Sequence, residues 1–274
     1  MIDELRTSEI ASLVYFLFLA CLAWLRPAPA GARLVVTGVA AGVWLANGLA
    51  AGFAAPALAR DSAARLRDWL PLAHLLLAYW TPRALVTGVN ARFERWLLAV
   101  DDRILSSPAG LAVARAPRLV KELLELSYSA VYPLVPLALL LLIATGFRNE
   151  VDRFWTTVLL AEYACYGILP LVPTRPPRAL DRRRHHEPAL TIRRFNLWML
   201  AGASNGWNTF PSGHVAGSLA CGLAVWPSLP AAGAALIAAA AMIAVASVVG
   251  RYHYAADALA GAIVAVLAFA VAGR

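Results

Sequence analysis

Charge is scarce in this chain. Charged residues make up 15% of its 274 positions and hydrophobic ones 61%, where a soluble domain carries about 25% charged residues. That shortage excludes an ordinary soluble fold, because one core could not hide so much apolar surface. Cysteine is equally rare. Cys21, Cys165 and Cys221 all fall inside apolar runs, which excludes a disulfide framework. Lysine is represented by Lys121 alone, so the formal net charge of +8 is carried by arginine. These arginines sit in short segments between apolar runs, where lipid phosphate is the simplest counterion. A nucleic-acid partner is therefore not expected. The acidic start Met1–Glu9 lacks a basic n-region, so Ile10–Leu25 reads as a retained anchor rather than a cleaved signal.

What is abundant is hydrophobic sequence in long runs. A membrane helix needs roughly 20 apolar residues, and eight segments approach that: Ile10–Leu25, Leu34–Leu58, Trp69–Trp80, Leu123–Ala144, Phe154–Val172, Gly213–Trp226, Ala231–Val249 and Tyr254–Ala272. Trp69–Trp80 is short and is expected to extend through Thr81-Pro82-Arg83 toward Val89, or to lie partly in the interface. Asn90–Lys121 mixes Arg92, Phe93, Arg95 and Trp96 with leucines and reads as a helix lying among headgroups. The expected fold is all-α: a polytopic transmembrane helical bundle forming one membrane domain over 1–274.

Three polar clusters interrupt the apolar pattern. Pro173-Thr174-Arg175-Pro176-Pro177-Arg178 follows one span. Phe210-Pro211-Ser212-Gly213-His214 precedes another. Gly250-Arg251-Tyr252-His253-Tyr254 leads into Asp257 at the junction of the last two. In the second cluster Thr209 or Ser212 can cap a helix whose free N–H groups and positive end attract an anion. Gly213 allows close backbone approach, and His214 sits one turn in, placed to protonate a leaving oxygen. In the third, His253 and Asp257 are four residues apart, on one helical face. A carboxylate on one imidazole nitrogen leaves the other free to attack phosphorus. Arg175, Arg178 and Arg251 can oppose phosphate charge. The first two clusters share a loop and the third lies two spans later, so all three emerge on one membrane face.

These clusters resemble the type-2 phosphatidic acid phosphatase superfamily of membrane lipid phosphatases and phosphotransferases, over roughly residues 120–272. The resemblance implies a six-helix catalytic core at 69–272, with 1–60 supplying about two extra N-terminal spans. It implies His253 as a nucleophile forming a phosphohistidine, Asp257 as its partner and His214 as general acid. Ser212 and Gly213 would lie in the phosphate pocket. No metal and no cofactor are implied. Two departures stand out. The family's first-motif lysine falls on Ile168, and its third-motif arginine falls on Ser247, with Arg251 the candidate replacement. The Pro-Thr-Arg-Pro-Pro-Arg and His-Tyr-x-x-Asp strings look most like the branch containing inositol phosphorylceramide synthase. The implied partners are a phospholipid or lipid phosphate and, for transfer, a lipid alcohol acceptor; oligomeric state is not implied.

An inactive lipid-phosphate binder or flippase-like transporter is the alternative reading, motivated by the missing lysine and displaced arginine. Glu162, Glu125 and His74 lie in or near apolar runs and are read mainly as packing or interfacial groups. Asp101 and Asp102 have no neighbouring acidic or histidine ligands with metal spacing. Trp207 and Phe210 read as interface anchors, and Arg182-Arg183-Arg184-His185-His186 as a headgroup-facing run. The chain is expected in a bacterial inner membrane. The positive-inside rule favours a cytoplasmic active face, whereas the family resemblance favours an extracytoplasmic one.

Overall fold

A computed structural model describes residues 5–52, 57–180 and 190–273; the run 182–186 lies outside them. The described residues form thirteen α-helices and no named strand: α1 Thr7–Leu25, α2 Ala30–Gly52, α3 Ala57–Trp80, α4 Ala91–Leu105, α5 Pro108–Ala114, α6 Arg118–Ser129, α7 Val131–Ala144, α8 Val151–Ile168, α9 Pro177–Leu180, α10 Thr191–Ala203, α11 Gly213–Val225, α12 Pro230–Val249 and α13 Ala255–Ala272. The all-helical membrane bundle is therefore as expected. Four helices are long and apolar enough to cross a bilayer: α1, α2, α12 and α13. The bent pair α6–α7 makes a fifth.

α8 and α11 form the centre. α11 is short and rich in Gly, Ala, Ser and Cys, and ten of its thirteen residues are buried. Small side chains let α8, α12 and α13 close around it, the usual way helices associate in lipid. The outer faces carry leucine and valine, such as Leu25, Leu259 and Val266, exposed to the bilayer.

Two expected boundaries differ. The run Leu123–Ala144 is not one helix: it bends by 57° between α6 and α7. Pro133 accounts for the break, since its ring would meet the carbonyl of Ser129 in a continuous helix. The short run Trp69–Trp80 grows backwards to Ala57 rather than forwards, and Thr81–Leu85 turns as a 3-10 segment. Its polar N-terminal half hides the helix from hydropathy but is paired in the fold. Asp68 takes ion pairs from Arg6 at 2.8 Å and Arg148 at 2.6 Å, and Arg67 binds Glu9 at 2.6 Å.

The segment expected among headgroups is α4–α5 and the start of α6. α4 buries Glu94, Leu97 and Asp101 on one face. That face braces the site.

Candidate active site

The three polar clusters meet at one end of the bundle. Ser212 caps α11, its Oγ accepting from Val215 N at 3.4 Å, while Ser212 N donates to the Asp257 carbonyl at 3.0 Å. The loop before it is pinned by an isolated bridge, with Asn208 N donating to Thr174 O at 2.8 Å. A Cβ on Gly261 of α13 would lie 2.5 Å from the Ser212 carbonyl, so that glycine lets α13 seat against the loop.

The α12–α13 elbow presents His253. Gly250 ends α12, and Arg251 takes a left-handed φ of 63°, a conformation that costs a non-glycine residue about 1–2 kcal/mol. Tyr252 N and His253 N then both donate to the Ser247 carbonyl, at 2.8 and 3.0 Å. Ser247 thus holds the turn through its backbone carbonyl.

His214 and His253 face each other with ring centroids 5.2 Å apart. Nδ1 of His253 lies 3.5 Å from Asp257 Oδ2, beyond a good hydrogen bond. The same oxygen caps α13 by accepting from Tyr254 N at 2.9 Å. His214 stacks on Tyr128 at 5.5 Å, with its Nε2 3.4 Å from the phenol, and Tyr128 stacks on Tyr252 at 3.7 Å. Burial and the nearby Arg178 guanidinium pull the His253 imidazole from 6.5 to about 3. That environment favours the neutral imidazole.

The arginines divide by role. Arg178 lies over the Tyr252 ring at 5.8 Å, and its backbone N donates to Arg251 O at 3.0 Å. It also lines a recess of about 410 Å³ with Arg83, Ser204 and Gly206. Arg175 is gripped by Glu94, which accepts from its N, Nε and Nη2 at 3.0, 3.1 and 2.7 Å. Those side-chain bonds hold the Glu94 carboxyl below its usual range, against the opposing effect of burial. Arg251 is buried against Asp101, whose other oxygen accepts from Ala255 N at 2.7 Å. Burial raises the Asp101 carboxyl, with Ala255 and Arg251 pulling it back.

Of the residues expected at the site, Ser212, Gly213, His214, His253, Asp257 and Arg178 therefore converge, while Arg175 and Arg251 are tied to carboxylates of α4. Gly213 faces protein: a Cβ there would meet Tyr166 at 2.5 Å and Glu162 at 2.7 Å. Glu125 is buried and accepts from Arg193, Asn196 and the Tyr252 hydroxyl. His74 is buried away from the site, edge-on to Phe16 at 6.5 Å. Phe210 packs on Phe93 at 4.9 Å. Sequence reading missed Glu94 and Asp101 as braces, although Glu94, Leu97 and Asp101 recur at helical spacing. It also missed Tyr128.

His214 at the α11 N-terminus and His253 at the α12–α13 elbow thus face each other with Arg178 close by, an arrangement able to hold an anion. Residues 92–271 match the PAP2 superfamily, and the chain belongs to it. A PA-phosphatase related-family protein of Dictyostelium discoideum is 47% identical over 58 residues, 21% of this chain and 10% of that relative. The chain thus spans about a tenth of that protein's length. No solved structure matches it.

Proposed function

We propose that this protein cleaves or transfers the phosphate, or a phospho-headgroup, of a membrane lipid through a phosphohistidine. The observation that carries the reading is the 5.2 Å separation of the His214 and His253 rings, close enough for His253 to reach the phosphorus of one group while His214 reaches its departing oxygen. The phosphate rests on the α11 N-terminus at Ser212 and Gly213, with Arg178 nearest among the cations. Arg175 and Arg251 add positive field from positions fixed by α4.

His253 turns Nδ1 toward Asp257, so Nε2 attacks phosphorus while the bond to the lipid oxygen breaks. His214, protonated as the anionic phosphate binds beside it, delivers that proton to the departing oxygen. Water or a lipid alcohol then attacks the phosphohistidine, the P–N bond breaks, and His214 takes the proton back. Closing of the 3.5 Å His253–Asp257 gap as charge develops on the imidazole would favour the transition state over the resting state.

The acceptor decides between hydrolysis and transfer, and the likeness to the inositol phosphorylceramide synthase branch supports transfer. The open His253–Asp257 pair is what favours the alternative, a phosphate binder without turnover. We place the site on the extracytoplasmic face of a bacterial inner membrane, its arginines being held for substrate rather than for topology.

The test is a panel of radiolabelled lipid phosphates given to purified protein in mixed micelles, with and without a lipid alcohol. Wild type is expected to release or transfer phosphate and to form an acid-labile, base-stable phosphoprotein. His253→Ala should lose both while keeping its thermal transition. Turnover by His253→Ala would overturn the nucleophile, and a turnover-free wild type would leave the binder.

A further inference from the structure

A second cavity lies behind the histidine cleft. It holds about 810 Å³ and is bounded by the α4–α5 elbow from Ile104 to Ala114, the last turns of α12, Leu124 of α6 and Ala258 of α13. That volume is of the size that encloses a drug-sized ligand. Its wall is mostly apolar, and its charged groups are Lys121, Glu125, Arg193 and Arg251. Arg251 and Tyr252 form the partition, since Arg251 lines this cavity while His253, two residues on, faces His214.

The charge state of the polar end restricts the occupant. Arg193 is paired with Glu125 at 2.8 Å, and Arg251 is paired with the buried Asp101. An anionic headgroup bound at the two arginines would have to compete with Glu125 in the wall and with Asp101 behind Arg251, at a cost that grows as water is excluded. A hydroxyl can instead accept from the guanidinium edges or donate to a carboxylate without disturbing either pair. The apolar wall matches an acyl chain, and the α4–α5 elbow, rich in exposed Ile104 and Leu111, lies where a chain would enter from the membrane surface.

We infer that this cavity binds a neutral lipid alcohol, with its chain against α5 and α12 and its hydroxyl at the Arg193–Glu125 and Arg251–Asp101 pairs. The inference rests on the proposed phosphoryl chemistry for its purpose, though not for its binding test. Such a lipid has two sources: an acceptor for headgroup transfer, or the alcohol left after a lipid phosphate is cleaved.

The test uses the full chain in detergent and a diacylglycerol carrying a photoactivatable diazirine in one chain. Labelled peptides are expected to cluster in 104–114 and 244–249. Unlabelled diacylglycerol should compete at least tenfold better than phosphatidic acid of the same chains. His253→Ala should label as wild type, which separates binding from chemistry. Ala109→Trp and Ala114→Trp, both placed to fill the cavity, should each cut labelling about tenfold while leaving cleavage of a short-chain soluble phosphate ester unchanged. Label spread equally over the outer faces of α1 and α13, or equal competition by phosphatidic acid, would overturn the assignment. If Ala114→Trp slows only transfer to added diacylglycerol, the ligand is the acceptor. If it slows acceptor-free turnover of long-chain lipid phosphates alone, the ligand is the product.

Discussion

Replacing Asp101 by Asn removes one charge from a pair that holds the elbow carrying His253. Asp101 is fully buried and the Arg251 side chain is 8% exposed, so the guanidinium left behind has little water to turn to. Removing one partner of such a pair costs on the order of 3–5 kcal/mol. Asn keeps an oxygen for Ala255 N, so the loss isolates the ionic contact from the α13 N-terminal bond. The cycle is completed with Arg251→Met and the double variant, in which neither charge stays buried. Apolar replacement of a whole buried pair is often close to neutral, so the double variant should recover most of the loss, giving a coupling of about 2 kcal/mol or more. Tryptophan fluorescence during thermal unfolding in detergent provides the stability readout, and turnover of a lipid phosphate the functional one. A double variant with restored stability and full turnover would mean that Arg251 acts only by holding the elbow. Restored stability with lost turnover would assign it to the phosphate. An Asp101→Asn protein less than about 1 kcal/mol weaker, or a double variant no better than the single, would refute the reasoning.

Glu94→Gln should cost less than about 1 kcal/mol, because the Arg175 side chain it grips is 49% exposed and screened by water. Turnover should nevertheless fall severalfold as Arg175 loses its orientation, an effect measured as kcat/KM on a lipid phosphate. Gly217→Leu should destabilise by roughly 1–3 kcal/mol through overpacking, since even a Cβ there would lie 2.0 Å from Glu162 Oε1; thermal melts of this variant and of Gly217→Leu with Glu162→Ala, which should recover part of the loss, check it. Acid should weaken the fold through His253. Its folded pKa is lowered from 6.5 to about 3, so the unfolded chain binds a proton that the folded one refuses. Stability is full above about pH 6.5 and declines below it, by about 2 kcal/mol at pH 5. His253→Asn should show a shallower decline in melts compared at pH 7.5 and pH 5, and parallel declines would contradict the buried neutral imidazole.

The likeness between sequence and structure is closest where the information is local. Ser212-Gly213-His214 and His253-x-x-x-Asp257 are short strings whose roles follow from helix ends and helical spacing, and they are legible without a fold. The parity of the spans between them put both on one face, and the rings do meet. Legibility fails where one local signal masks another. The charged half of α3 conceals a helix because its partners, Glu9 and Arg148, lie elsewhere in the chain. Pro133 breaks a hydrophobic run that composition reads as continuous.

The amino-acid sequence on its own determined the helical class, the membrane environment and the local spacing of His253 and Asp257, because hydropathy and motif spacing act over a few turns of chain. Only the tertiary structure decided which arginines are gripped by carboxylates of α4. Glu94 reaches Arg175 across 81 positions and Asp101 reaches Arg251 across 150. Pairs so distant are fixed by how α4 packs beneath the loops, and no local periodicity encodes that packing.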